Sequence, residues 1–384
     1  MLTPKYRFKG FTDDLKEYKL KDILTRVSNP VDVKKDEKYK QIGIKSHGKG
    51  LFYKEEVTGK DLGNKRVFWI EPDCLIVNIV FAWERAVART TSKEVGMIAS
   101  HRFPMYKPNP DILDLDFIVK YLISPKGQQL MIMASPGGAG RNKTLGQSDF
   151  LNSIVKIPSL DEQIKIGKML DQIDNLIKVL EDEIDCYKKE KISIMNKIFS
   201  GEIPTLKSYN EWNIKKLSEL EEEKILELGR GRVIPKTSSP GEYPVYSSSK
   251  VNRGLMTYIN QYDFDEELIS WSIDGGGNLF YRNKHKFSIT NVSGYIRLLN
   301  NNILNYKYLF YDLEYNHSNF IFDYLNKAHP SVIRDLYEIH IPPMSEQEII
   351  VNYLQPYDEI IEKKQKKLDK WNELKEGLIQ DIFI

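Results

Sequence analysis

The sequence predicts a chain of mixed α/β class, in which two globular domains alternate with two long helices and the second half repeats the plan of the first. Three observations carry this. A stretch near the middle of the chain returns at its carboxyl end at a constant offset. In both copies the apolar residues recur every 3.5 positions on average, the spacing of a helix that buries one narrow seam. Ahead of each copy lies a longer stretch that mixes β-branched runs, Gly turns and a late helical segment.

The repeat fixes the frame for every other motif in the chain. IPSLDEQ at 157–163 returns as IPPMSEQ at 341–347, an offset of 184. Holding that offset from 142 to 200 gives fourteen identities, among them Asn142/Asn326, Lys143/Lys327, Glu162/Glu346, Gln163/Gln347, Asp174/Asp358, Lys191/Lys375 and Phe199/Phe383. They fall in phase with a helix. The seam of the first copy is Ile166, Leu170, Ile173, Ile177, Leu180 and Ile184; that of the second includes Ile350, Leu354, Ile361, Leu368, Trp371 and Leu378. Two such seams in one chain most simply bury each other. At about 1.5 Å per residue each helix reaches roughly 50 Å. Pro158 and Pro342 stand just before the helices, Ser345 with Glu348 reads as a capping box, and Asp161 takes the equivalent cap position in the first copy, with Ser159 and Glu162 competing for it. Lys191 and Lys375 interrupt both seams at one repeat position, as a register device, a docking point or simply lysines that snorkel to solvent.

The globular stretches are alike in kind rather than in sequence. Glu17-Tyr18 with Leu20 and Asp22 resembles Glu211-Trp212 with Ile214 and Leu217 as an opening, CLIVNIVFAW (74–83) and ELISWSI (267–273) read as strands, and 115–133 and 305–325 as helical. This sets the boundaries at 1–156 and 201–340 for the globular domains, and at 157–200 and 341–384 for the helices.

Composition limits the function. With 384 residues, 41% hydrophobic and 29% charged, disorder, collagen and an all-coiled-coil chain are excluded. Cys74 and Cys186 lie far apart without a CxxC partner, so neither a disulfide framework nor a zinc ribbon is encoded. The start of the chain is polar and no long apolar run occurs after it, which points to a cytoplasmic protein without a membrane partner. Segment by segment, 1–156 carries 27 Lys and Arg against 18 Asp and Glu, 157–204 carries 7 against 10, 205–340 carries 16 against 17, and 341–384 carries 6 against 9. The positive excess is therefore confined to the first globular stretch, while in the second the bases gather at 228–262, away from the acidic ELEEEKILE at 219–227.

Basic, Gly-rich and polar loops stand out in both globular stretches. The first offers Lys45, Lys49, Arg85, Arg89, Arg141, Asn142 and Lys143. The second offers Arg230, Arg232, Ser248, Lys250, Asn252, Arg253, Asn278, Arg282, Lys284, Asn326, Lys327 and Arg334. Asn pairs with adenine and Arg with guanine in a major groove, and Lys commonly takes phosphate, so these are candidate DNA contacts. SPGGAGRNKT at 135–144 imitates a phosphate loop but has Asn142 where the Walker spacing needs Gly before Lys, so nucleotide binding is not expected. No Pro-Pro-aromatic methyltransferase loop, no nuclease acid-x-Lys pattern and no metal-ligand His or Cys pair occurs, and neither a catalytic residue nor a metal site is expected.

Two variable domains alternating with near-repeated helices, each helix opened by Ile-Pro-x-x-x-Glu-Gln and closed by Ile-Phe, resemble the specificity subunit of type I restriction-modification systems. The resemblance implies target recognition domains at 1–156 and 201–340, each reading half of a split, asymmetric site in double-stranded DNA. It also implies that the helices pack antiparallel as a spacer and dock two methyltransferase subunits. On this reading the chain itself binds no cofactor; S-adenosylmethionine belongs to the adenine-methylating partner, and ATP and Mg to two restriction subunits. A type IIB-like specificity chain, or a coiled-coil scaffold that binds only protein, stays open as an alternative.

Overall fold

The structure is a computed structural model that describes residues 4–137, 143–203, 206, 211–235, 241–274, 276–322 and 327–383. Arg141, Asn142 and Asn326 lie outside them. Two compact units form, one from 1–181 with 367–384, the other from 182–366.

In the first unit the chain runs β1 (Lys16–Lys19), α1 (Leu20–Ile23), β2 (Leu24–Val27), β3 (Lys38–Ile44), β4 (Leu51–Thr58), α2 (Gly59–Leu62), β5 (Val67–Trp69), β6 (Leu75–Val77), β7 (Val87–Arg89), β8 (Ile98–Ser100) and β9 (Met105–Pro108). Then come α3 (Leu115–Ile123), α4 (Pro125–Met133), α5 (Gln147–Asn152), β10 (Ile154–Ile157) and the first long helix, α6 (Leu160–Phe199). Two four-stranded sheets result, in the orders β2-β9-β6-β7 and β4-β3-β8-β5, and β1 closes antiparallel on β10. The strand expected over 74–83 stops at Val77. Asn78 turns the chain there, its side-chain oxygen accepting from Val80 N–H at 3.1 Å. The helical stretch 115–133 is broken at Ser124-Pro125, because Pro125 cannot donate to the preceding turn and the Ser124 hydroxyl caps the new helix through Gly127 N–H.

The second unit holds β11 (Asn213–Lys216), α7 (Leu217–Glu222), β12 (Leu226–Arg230), β13 (Tyr243–Tyr246), β14 (Leu255–Ile259), β15 (Phe264–Ser272), β16 (Leu279–Ile289) and β17 (Ser293–Leu298). It continues with α8 (Tyr306–Ser318), α9 (Pro330–Leu336), β18 (Glu338–Ile341) and the second long helix, α10 (Met344–Ile382). Its main sheet is a single six-stranded one, β12-β17-β15-β16-β13-β14, and β11 closes on β18 as β1 does on β10. Lys16 faces Ile157 and Asn213 faces Ile341. The equivalent openings are therefore Lys16 and Asn213, which places Trp212 opposite Leu15 rather than Tyr18 and shifts the expected Glu-Tyr/Glu-Trp alignment by three residues. A two-residue aromatic motif is too short to set that register.

The repeated residues acquire a physical role here. Ile166 and Leu170 enter the core of the first unit together with Ile382 and Phe383, while Ile198 and Phe199 enter the core of the second with Ile350 and Leu354. Each long helix therefore begins in one unit's core and ends in the other's, which is why the Ile-Phe closing pair is repeated. Ile173, Ile177, Leu180, Ile184 and Leu368 are buried as well, and Ile361, Trp371 and Leu378 are half-buried. Inside the second unit Glu183 pairs with Lys364, Tyr187 packs on Tyr357 and Lys191 pairs with Asp358, an antiparallel order.

The first long helix starts at the competing cap, Ser159, rather than at Asp161, and the second starts ahead of its expected cap. α6 begins at Leu160, after Ser159, and α10 at Met344, so Ser345 lies inside the first turn and forms no capping box. The reason is the signature Gln. Gln163 donates to Pro158 O and Ile112 O, both at 2.9 Å, and accepts from Asp114 N–H at 3.0 Å. Gln347 donates to Pro342 O at 2.9 Å and Ile303 O at 2.8 Å, and accepts from Asn305 N–H at 2.8 Å. Both are fully buried. Asp114 and Asn305 are themselves the N-caps of α3 and α8, so one buried amide pins each long helix to the helix ahead of it.

Candidate nucleic-acid interface

In the first unit the β3–β4 turn, residues 45–50, docks on the loop after β6. His47 N–H bonds Glu84 O at 2.7 Å, Gly48 N–H bonds Arg85 O at 2.9 Å, and Ser46 Oγ donates to Glu84 at 2.8 Å. His47 and Arg85 both sit at φ 62, a left-handed conformation that non-glycine residues adopt only where neighbours impose it. The docking gathers exposed Lys45 and Lys49 beside half-buried Arg85, whose Nε is buried without a partner among the described residues. Lys143 stands 6.0 Å over the ring of Trp83, in the same loop. Arg89 is placed differently: it pairs with Asp116 and lies 3.8 Å from Asp73, which ties β7 to α3.

In the second unit Lys250, Asn252 and Arg253 are exposed on the β13–β14 connection, with Ser248 half-buried beside them. Asn252 and Arg253 take φ 48 and 51, and Arg253 Nη2 donates to Tyr281 O at 3.0 Å. Lys284 is exposed on β16 and Asn278 is half-buried at its start. Arg282, on the same strand, is 4% exposed. Its Nε donates to Ser270 Oγ at 3.0 Å, its Nη2 to Arg253 O at 2.9 Å, and its guanidinium lies 3.8 Å from the Tyr246 ring centre. Burial pushes Arg282 down to about 9, with the Arg253 charge adding to the effect.

Several other candidates already hold a partner within the chain. Arg232 pairs with Asp263 at 2.8 Å, Lys327 with Asp274 at 2.7 Å and Arg334 with Glu221 at 3.1 Å, while exposed Arg230 bonds Asn291 O. The charges of Arg232, Lys327 and Arg334 are neutralised locally, whereas those of Lys45, Lys49, Lys250 and Lys284 face solvent. The structure thus brings together 45–50 with 84–85 and 143, and 248–253 with 282–285; it does not bring Arg89, Arg230 or Arg334 into those clusters. Sequence reasoning missed Tyr246, Tyr281 and Ser270, the walls of the Arg282 site. No local signal marked them, because Arg282 shares its strand parity with exposed Lys284 and Lys286.

Each unit thus presents a cluster of exposed basic loop residues on its own sheet framework, the pattern expected of a nucleic-acid-binding chain. The family described as "Type I restriction modification DNA specificity domain" matches residues 12–185 and 209–370, and the chain belongs to that family. It is 32% identical over 164 residues to the type I restriction enzyme MpnII specificity subunit of Mycoplasma pneumoniae, covering 41% of this chain and 46% of that one. It is also 34% identical over 165 residues to S.MpnORF285P of the same organism, provisionally designated a type I specificity subunit, and that match spans 41% of this chain and only 50% of that protein. Against S.MpnORF201P, of the same designation and organism, the identity is 28% over 247 residues, covering 59% of this chain and 97% of that one. The crystal structure of the type I restriction-modification S subunit from M. genitalium has the same fold, with a TM-score of 0.71 at 15% identity over 100% of this chain and 99% of that one. Among the described residues no helix is long and apolar enough to cross a membrane.

Proposed function

We propose that this chain reads a split, asymmetric site in double-stranded DNA for a type I restriction-modification complex, one half-site per globular domain. The domains 1–156 and 201–340 are the readers, and the helices 157–200 and 341–384 are the spacer and the docking surface for two methyltransferase subunits. S-adenosylmethionine and adenine methylation belong to those partners, and ATP and Mg to two restriction subunits; this chain supplies recognition and no catalysis. The observation that carries the reading is the two-copy architecture: identical Gln junctions hold two different sheets, so two unlike surfaces are offered by one framework. Lys and Arg contacts to phosphate give affinity that falls with salt, and a few loop side chains read base edges.

The test is co-expression with the methyltransferase subunit in a methylation-free host, then sequencing for modified adenines. A split motif with a fixed gap is expected, losing one half when residues 205–340 are exchanged for another recognition domain. Deleting one heptad from both helices should change the gap and leave each half intact. A soluble, complete complex that modifies no motif would overturn the reading in favour of a protein-binding scaffold.

A further inference from the structure

The second unit contains a cavity of about 220 Å³ lined by Arg253, Arg282, Asn252, Asn283, His285 and Tyr246, among other residues, with no Asp or Glu among the described residues of its wall. Burying a charge is costly unless it is paired, and even two partly exposed arginines of the chain have found acids: Arg89 has Asp116 and Arg334 has Glu221. Arg282 is more deeply buried than either and has none among the described residues. Tyr246 and Phe280 cover its guanidinium at 3.8 and 4.8 Å, which leaves only the edge of the group for polar contacts. Of its five N–H groups, one goes to Ser270 Oγ and one to Arg253 O.

We propose that this cavity is a socket for one backbone phosphate of the DNA bound by the second unit, with Arg282 at its floor and Asn252 and Arg253 at its rim. The inference rests on the DNA-reading assignment and specifies what this site takes. A phosphate suits the geometry better than a guanine edge. Nη1 and the second N–H of Nη2 remain to fork either group, but a guanine edge is neutral and would leave the buried cation without an anion. A phosphate oxygen needs only concentrated donors with positive charge, and no acid lines the cavity among the described residues. Asn252 adds an amide at the rim, and its left-handed backbone is one that Asn and Asp tolerate.

The experiment uses the full chain, with Arg282→Gln and Asn252→Asp as variants. Asn252→Asp keeps the packing and puts a carboxylate at the mouth, so it decides the matter if Arg282→Gln fails to fold. Inorganic phosphate, compared with chloride at equal ionic strength, should raise the melting temperature of the unaltered protein and neither variant's. On duplex DNA both variants should bind about tenfold more weakly whatever the sequence, and the slope of log affinity against log salt should fall by about 0.9, the value for one phosphate contact. If the unaltered chain binds DNA and the variants keep its slope, or lose affinity only for particular bases, the socket is refuted while DNA reading stands. Should the unaltered chain bind no duplex at all, the DNA-reading assignment falls and the socket's ligand with it.

Discussion

The two places where a recognition domain meets its long helix are nearly the same, and the sheets beyond them are not. Gln163 and Gln347 make the same three hydrogen bonds, to the carbonyl of the signature proline, to a carbonyl just ahead of a helix and from the backbone N–H at that helix's N-cap. Past that point the first unit builds two four-stranded sheets and the second a single six-stranded one. A junction that satisfies its own polar groups places little demand on the sheet beyond it. That is how one frame supports two unlike surfaces.

The junctions differ in one respect that the sequence repeat conceals. In the first unit Asp174 is held by Lys120 of α3 and by Lys375 at 2.6 Å, with Asp171 also 2.8 Å from Lys120. In the second, Asp358 is held by the Tyr311 hydroxyl of α8 and by Lys191, both at 2.7 Å, and Lys191 also takes Glu314 at 2.7 Å. Two cations face two acids in one cluster; a single cation faces two acids in the other. Burial pulls the Lys191 ammonium down, but Glu314 and Asp358 outweigh it and leave it raised, while Glu314 itself is raised by burial. Lys191 therefore does not snorkel to solvent; it is the buried centre of its cluster.

The two clusters should respond unequally to substitution, with the largest effect at Lys191. Lys191→Ala removes a buried cation, leaves half-buried Glu314 and Asp358 facing each other, and should destabilise the second unit by about 3 kcal/mol. Lys375→Ala, at a half-exposed lysine that leaves Asp174 with Lys120, should cost under about 1 kcal/mol. Equal drops in melting temperature for the two variants would show that the clusters are equivalent after all. Next, Gln163→Ala and Gln347→Ala each strand buried carbonyls and an N–H group and should cost about 2 kcal/mol apiece. Urea unfolding of the full chain checks this, and a gap of more than about 1 kcal/mol between the two would end the claim that the junctions are interchangeable.

A smaller contrast than that between the lysines separates the partners of the signature Glu. Arg7 forks Glu162 at 2.5 and 3.1 Å, whereas Glu346 accepts from Trp212 Nε1 at 2.8 Å. Arg7→Ala leaves a buried carboxylate without its cation and should cost about 2 kcal/mol, against about 1 kcal/mol for Trp212→Phe, which removes one hydrogen bond and keeps much of the ring packing. Urea unfolding of both variants measures the difference. A larger loss at Trp212 would mean that the aromatic ring, packed on Phe199, matters more than the polar contact.

Periodicity and repetition are properties of the linear chain, so the two long helices, their seams and the two-domain plan were legible in it. The repeat also marked Gln163, Lys191 and Phe199 as special without saying why. Their reasons lie in partners far along the chain: Ile112 for Gln163, Asp358 for Lys191, and the core around Tyr308 for Phe199. The candidate site was legible as residue type and loop chemistry only. Nothing local distinguishes Lys284, which faces solvent, from Arg282 two positions before it, which lies under Tyr246. Arg232, Lys327 and Arg334 likewise read as basic loop residues until Asp263, Asp274 and Glu221 are folded against them.

By itself, then, the sequence determined that this protein has two globular domains on a duplicated helical frame, because apolar spacing and duplication need no partner to be recognised. Only the tertiary structure decided which charges are spent inside the fold and which face solvent, where each long helix finds its two cores, and that one arginine is buried away from any acid in its cavity wall. Those outcomes depend on cross-strand neighbours and on contacts far apart in sequence, which pairing and packing create and which no window along the chain contains.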